Sequence, residues 1–458
     1  ADAGKRVVAN EDEFRRLPVT IAIKRAGLAQ ARGDFAGAMQ YAQRAFDAVQ
    51  PGDHLGRAGA TGFLGLALWG SGDLAAAQQT YAESVTSMHL AGHFADALNG
   101  TMALAEMQIG QGGLREARRS LEQAGQQLAA QAAPAIPGTA DLLVLLSELD
   151  REHNDLEAAE AHLLRSKALG DRASLPENRY RWPVAMARIQ AAQGNLDGAL
   201  NWLDAAERLY AKGFLPEVRP IGALRARIWI AQGQLAEAAG WARTQGLTAQ
   251  DEPSYLHEFD HLTLVRLLIA QYQAGRDDNA MRATLDLLGR LLTAAEAGGR
   301  IGSVNEILVL QALAHAAQGH TPPALAALER ALAQAEPEGY VRLFVDEGRP
   351  MAALLQAGAK KKIAPDYISR LLNAFGEAAP MAAGRGEIPA AQPLPERLSD
   401  RELEVLQLLS TELNGPEIAR KLMVSLNTLH THTANIYSKL GVKNRQAAVI
   451  RADELKLL

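Results

Sequence analysis

G-D-L-A-A-A at residues 72–77 is one of eight copies of a short pattern whose fullest form is Gly/Asn-x-Leu-x-x-Ala. The others read G-D-F-A-G-A at 33–38, G-G-L-R-E-A at 112–117, N-D-L-E-A-A at 154–159 and G-N-L-D-G-A at 194–199. G-Q-L-A-E-A at 233–238, G-R-D-D-N-A at 275–280 and G-H-T-P-P-A at 319–324 complete the set. Successive starts lie 39, 40, 42, 40, 39, 42 and 44 residues apart. Position six is alanine throughout: Ala38, Ala77, Ala117, Ala159, Ala199, Ala238, Ala280 and Ala324. Seven residues before each start stand Ala26, Gly65, Ala105, Ser147, Ala187, Ala226, Leu268 and Ala312, small in all but one copy. A glycine there supplies the left-handed conformation that closes a first helix, and a second helix begins at once. The two small positions let the pair cross closely. Each hairpin leaves an apolar face bare, so neighbours must stack, and the spacing predicts an all-α solenoid over 1–338. The last two copies are degraded, at Leu268, Asp277 and Thr321.

Beyond the array, G-Y-V-R-L-F-V-D-E-G-R-P-M-A-A-L-L at 339–355 opens a helical connector expected to run to Phe375. From Gly376 to Arg397, four prolines and three glycines without apolar period read as a flexible linker. The basic run Lys360 to Lys362 reads as a solvated helix face. The formal charge of −5 excludes a chain that grips nucleic acid along its whole length, so any such contact is local. With no cysteine, disulfides, thiol catalysis and Cys-rich zinc sites are excluded, which suits a cytoplasmic protein. No apolar run approaches the ~18 residues of a membrane span. The start, A-D-A-G-K-R-V-V, has no initiator methionine and no signal-peptide core, as expected of a trimmed chain or part of a longer one.

The last 61 residues, 398–458, form a separate unit. Ser399 caps a helix, Glu402 completes a capping box, and Leu398 and Leu403 stand where a hydrophobic staple belongs. Leu403, Leu406 and Leu409 are its expected buried face. A short second helix starts near Pro416 and ends at Leu422, and Met423 and Val424 make a turn. Ser425 caps a third helix that Gly441 ends, and a last helix begins near Asn444. Leu426, Leu429, Ile436 and Leu440 share one stripe of the third helix. Asn427, Thr431, Ala434 and Ser438 lie opposite, flanked by His430 and Asn435. That outward face is polar, small and largely uncharged, which suits base edges in a major groove. From Ile418 to Ala452 there are six basic residues, Arg420, Lys421, Lys439, Lys443, Arg445 and Arg451, and no acidic one. The segregation gives one side a positive field.

Two resemblances follow from these residues. The repeats resemble the tetratricopeptide repeat, although its period is usually about 34 residues. L-S-D-R-E-L-E-V-L-Q-L-L, E-I-A-R-K-L and T-L-H-T-H-T-A-N-I-Y-S-K-L-G-V-K-N-R resemble the LuxR-type helix-turn-helix along its length. With Y-V-R-L-F-V-D-E-G between the two, the chain is similar to the C-terminal half of the large MalT-like regulators. That resemblance implies a TPR-like superhelix followed by a four-helix DNA-binding domain, with the helix-turn-helix over Gly415 to Ala434. It also implies DNA contacts from Ser425, Asn427, Thr428, His430, Thr431, Ala434, Asn435, Lys439, Lys443 and Arg445. The implied partners are double-stranded promoter DNA, a second copy of the chain on DNA, RNA polymerase, and a small-molecule or protein effector. Pro416 replaces a usually basic or polar residue, and His430 stands where the family usually has a base-contacting lysine. The family's ATP-binding module has no counterpart, because no G-x-x-x-x-G-K-[ST] phosphate loop occurs, and no cofactor is expected.

On the tetratricopeptide pattern, positions three and six before each start line the concave surface. They are Trp69, Glu106, Glu148, Arg151, Arg188, Arg227 and Tyr272. These read either as a ladder of inter-repeat ion pairs or as a polar pocket, with an aromatic at either side, for a carboxylate- or phosphate-bearing effector or an acidic peptide. His257 and His261, spaced i, i+4, lack a further metal ligand nearby, so no metal site is expected. No Ser/His/Asp set or carboxylate pair has a mechanistic spacing, so no enzyme is expected. The rival reading is a repeat scaffold whose helix-turn-helix no longer binds DNA. The linker makes its own prediction: limited proteolysis should cut first between Gly376 and Arg397, leaving a stable array and a domain of about sixty residues. First cleavage within residues 40–320 would contradict a continuous solenoid.

Overall fold

Every copy of the repeated pattern sits at the closing turn of a helical hairpin. The computed structural model describes residues 10–130, 136–211, 213–378 and 398–411, together with 418, 420–422, 432–433, 436, 439, 448 and 452. The chain divides into two units, residues 1–382 and 383–458. Among the described residues all regular structure is helical.

The eight hairpins are α1 (Glu11–Ala31) with α2 (Phe35–Ala48), α3 (His54–Ser71) with α4 (Leu74–Leu90), α5 (Phe94–Gly110) with α6 (Leu114–Ala130), and α7 (Thr139–Glu152) with α8 (Leu156–Leu169). They continue as α9 (Asn178–Ala192) with α10 (Leu196–Leu209), α11 (Ile221–Ala231) with α12 (Leu235–Thr244), α13 (Glu258–Gly275) with α14 (Asp278–Ala297), and α15 (Ile301–Ala317) with α16 (Thr321–Ala335). The closing residue is left-handed in seven hairpins, for example Gly72 at φ 91° and Asn154 at φ 67°. In the seventh, Gly275 stays helical and Arg276 takes the left-handed conformation instead, with its amide 2.8 Å from Tyr272 O. The next residue often caps the second helix: Asp73 Oδ1 accepts from Ala76 N at 3.1 Å, and Asp34, Asp155, Asn195 and Asp277 do likewise.

The position-six alanines have no exposed surface in seven hairpins, and Ala280 alone is half-buried. Their small partners are buried as well, except Leu268, so the degraded seventh copy is the looser crossing. Approach is tight elsewhere: a Cβ on Gly65 would lie 2.9 Å from Tyr81 Cδ2.

The solenoid also closes on itself, which the repeat spacing does not announce. Arg300, ahead of α15, donates from Nη1 to Gly72 O at 3.1 Å, and Trp69 Nε1 donates to Tyr255 Oη at 2.8 Å. Helix α15 lies against α5, where a Cβ on Gly302 would come within 3.0 Å of Gly110 O. The segment expected as a connector takes part. Val341 N donates to Glu152 O at 3.0 Å, and Arg342 Nη2 to Ala192 O at 3.2 Å. Its helices are α17 (Arg342–Val345), α18 (Gly348–Lys360) and α19 (Pro365–Ala378). Tyr340, Phe344, Met351, Leu355, Tyr367 and Ile368 belong to the same apolar core as the last hairpins. The connector therefore caps the array rather than merely trailing from it, and α19 runs three residues past the expected linker start. Linker residues 379–397 lie outside the described residues.

Close crossing at the buried alanines predicts a graded cost. Ala159→Leu should destabilise the array by about 1–3 kcal/mol through overpacking, and Ala280→Leu markedly less. Urea unfolding of both variants measures this, and equal losses would contradict the looser seventh crossing.

Candidate functional site

The first helices of successive hairpins pack on one another, and their charged side chains meet on the inner, lumenal side of the closed turn. In four copies the residue six before the start reaches that side, whereas Gly27, Leu66, Ile269 and Leu313 at the same position are buried. Glu106, Glu148, Arg188 and Arg227 keep 16 to 21% of their side-chain surface exposed. Position three does not: Trp69, Arg151 and Tyr272 are buried. Trp69 is spent on Tyr255, and Tyr272 Oη donates to Asp278 Oδ1 at 2.9 Å, so neither ring flanks a groove as expected. The reason is helical geometry, because three residues rotate a side chain nearly a full turn less sixty degrees, from the lumen into the hairpin seam.

The lumen charges pair across repeats. Arg181 on α9 lies 3.0 Å from Glu106 on α5, and Arg188 is paired with Glu148. Glu306 on α15 takes Arg227 at 2.8 Å and Arg266 at 2.7 Å. Arg266 Nε also donates to Glu347 at 3.0 Å, while Asp346 is held by both Arg151 and Arg342. Arg227 further stacks on Phe259, its Cζ 3.6 Å from the ring centroid. Burial alone would raise the Glu306 carboxyl, but Arg227 and Arg266 hold it at about 2. Burial, then Arg219 and Arg227, press Arg188 down to about 9; burial and Arg266 press Arg227 down to about 10. Both stay charged at neutral pH.

Several lumen residues, Arg266 and Arg342 among them, escaped the sequence reading. Arg181 and Glu306 stand seven residues, two helical turns, before a position-six site, so extending the stripe backwards finds them. Asp346 and Glu347 belong to the tract read as a connector, and Arg219 lies in the irregular segment 213–220. His257 and His261 meet different carboxylates, Asp260 at 3.3 Å and Asp251 at 3.1 Å. Among the described residues, no three His, Cys, Asp or Glu side chains gather as a metal site.

In the second unit, α20 (Asp400–Leu409) starts with the expected capping box: Ser399 N donates to Glu402 Oε2 at 2.7 Å. Its buried stripe is Glu402, Val405, Leu406 and Leu409, with Leu403 only half-buried, one position round from the expected face. Glu402 also accepts from Lys439 Nζ at 3.0 Å. Burial would raise this carboxyl, but bonds from Ser399 and Lys439 bring it below the usual range. Ile418 and Ile436 are fully buried, and Arg401 Nη2 donates to Leu422 O at 2.8 Å. Of the residues expected to meet DNA, Lys439 is described, and it ties the third helix to the first. Ser425, Asn427, Thr428, His430, Thr431, Ala434, Asn435, Lys443 and Arg445 lie outside the described residues.

Two families match. The MalT-like TPR region matches residues 20–362, and the bacterial regulatory proteins of the luxR family match residues 396–452. The second unit is thus a LuxR-type DNA-binding domain. Among solved structures, a Signal Transduction ATPase with Numerous Domains (STAND) protein with a tetratricopeptide repeat sensor from Pyrococcus horikoshii is similar, at 12% identity and a TM-score of 0.35. The match covers 77% of this chain and 53% of that one, so the chain spans about half that protein's length. No helix among the described residues is long and apolar enough to cross a membrane.

One lumen carboxyl gives a pH prediction. Burial raises Glu152 to about 7, against Arg151 and with Asp346. The folded array therefore holds this proton more tightly than the unfolded chain. Its contribution is full below the ordinary glutamate range and is lost as pH rises through about 7. Glu152→Gln keeps an acceptor for Leu343 N, 2.8 Å away, without the charge. The variant should melt higher than the parent at pH 8 and level with it near pH 4.5. Parallel melting curves across that range would contradict the assignment.

Proposed function

We propose, from the premise that this chain belongs to the family of MalT-like TPR regions, that it is a transcription regulator whose array senses an effector and whose C-terminal domain binds promoter DNA. The observation that carries this reading is the LuxR-type match over residues 396–452. Chemistry supports it: the third-helix face is small and polar, and the stretch from Ile418 to Ala452 carries six basic residues and no acid. The array contributes a closed lumen lined with arginines and carboxylates, a concave polar site of the kind that holds an effector. The division that fits this role is an array of 1–338 capped by 339–378, a linker over 379–397 and a DNA-binding domain over 398–458. Two copies on DNA, with RNA polymerase as a further partner, complete the proposal.

The expected roles differ by residue. Lys443→Ala and Arg445→Ala should weaken binding to every duplex and each lower the salt slope by about one. His430→Ala should instead change which sequence is preferred. Lys439→Ala should cost stability as well, because Glu402 then loses its cation. Fluorescence anisotropy on a promoter panel at several salt concentrations measures binding by all four, and a melting curve measures the stability of Lys439→Ala. Unaltered binding by every variant, or none by the parent chain, would overturn the DNA-binding role and leave an interaction scaffold.

A further inference from the structure

The segment 213–220, between α10 and α11, does not stay with the hairpins it joins but lies on the first three. Gln30 Nε2 on α1 donates to Phe214 O at 3.1 Å. The Phe214 ring meets the Phe63 ring of α3 edge to face, with centroids 6.0 Å apart. Leu215 packs against the cluster of Leu66, Trp69, Tyr81 and Met107, contributed by α3, α4 and α5. The seat is shaped for this contact. Gly27 lets Phe63 lie against α1, because a Cβ there would come within 2.9 Å of Phe63 Cζ.

The segment holds its seat by few bonds. Among the described residues, no amide from Gly213 to Arg219 donates to a backbone carbonyl. Phe214 keeps 56% of its surface exposed. Gln30, in contrast, is only 5% exposed, and its Oε1 is buried with no hydrogen-bond partner among the described residues. A buried amide oxygen without a donor is costly and uncommon. A glutamine amide donates and accepts at once, so an extended backbone can satisfy both its atoms through a carbonyl and an N–H. The resident segment supplies the carbonyl alone.

We propose that Gln30, Phe63 and the cluster around Leu66 form a docking surface for an extended peptide segment of a partner protein, one carrying an aromatic residue followed by an aliphatic one. Phe214 and Leu215 are its intramolecular stand-in. The proposal rests on the reading of the array as an effector sensor and names the class of effector. An incoming segment that also gives Gln30 Oε1 an N–H makes one bond more than the resident one. With so few bonds of its own, 213–220 opens without the hairpins opening.

The probe is a fluorescein-labelled peptide with the sequence of residues 211–220, A-K-G-F-L-P-E-V-R-P, read by anisotropy on the full chain. Phe214→Ser combined with Leu215→Ser empties the seat. This double variant should bind the peptide saturably and about tenfold or more tighter than the parent, whose own segment competes at roughly millimolar effective concentration. Adding Gln30→Ala should weaken that binding about tenfold, and the same peptide with serine in place of its phenylalanine and leucine should not bind. A melting curve shows whether the double variant is folded. If it is not, hydrogen exchange of the parent decides: excess peptide should speed exchange at 213–219 and leave α1 and α3 unchanged. No saturable binding by the folded double variant, binding indifferent to Gln30→Ala, or, with an unfolded variant, unchanged exchange at 213–219 would overturn the surface. Promoter binding is read separately, with and without peptide. Peptide that docks without altering it leaves the surface and removes the sensor reading, whereas promoter binding without any peptide binding removes the surface alone.

Discussion

The crossing of two helices at a pair of small residues is the contact on which the array depends. Helices with ordinary side chains at the contact pack about 8–10 Å apart. Alanine at position six, against alanine, glycine or serine, allows nearer approach and buries both completely in most copies. Each hairpin then adds nearly the same small rotation to the stack. Summed over eight hairpins, the rotations bring the seventh and eighth back against the second and third. At that closure the requirement recurs: Gly302 meets the carbonyls of Ile109 and Gly110, where a side chain has no room.

Closure dictates the chemistry of the interior. Apolar side chains on an inner face that stays partly exposed would forgo the stabilisation that burial gives them. Here the inner faces carry arginine and carboxylate instead, paired between helices far apart in sequence. Exposed ion pairs are worth little, and fully buried ones scarcely repay their desolvation. The lumen pairs lie between these limits. Their energetic weight lies less in net stability than in mutual dependence, because removing one partner strands a charge that water reaches only partly.

The hairpins, their left-handed closures and their small crossings were legible in the sequence because each is local. So was the capping box of α20, which needs only Ser399 and Glu402. Closure was not legible. It sums many small rotations, and nothing in the motif near Gly72 names Arg300 as its partner. The lumen was half legible. Position six before each start found Glu106, Glu148, Arg188 and Arg227, while position three led to Trp69 and Tyr272, which the hairpin seam buries. The connector misled for the opposite reason. Its short apolar runs look like a spacer until Phe344 and Tyr367 are seen in the core of the array.

The same tract shows how the lumen can address the rest of the chain. Asp346 is shared by Arg151 and Arg342, Glu347 binds Arg266, and Arg266 shares Glu306 with Arg227. Shared partners make these pairs a connected set, so altering the charge at one end redistributes contacts at the other. Coupling between sites in proteins is typically about 1–3 kcal/mol, close to the worth of a single charge-assisted hydrogen bond, about 1.5–3 kcal/mol. An effector that distinguished two arrangements of the tract would then need no large rearrangement, because exchanging one shared pair is enough to favour one over the other. The tract is also where the array passes, through α18 and α19, into the sequence that leads to the DNA-binding domain. Shared charge and chain connectivity therefore meet in the nine residues from Gly339 to Glu347.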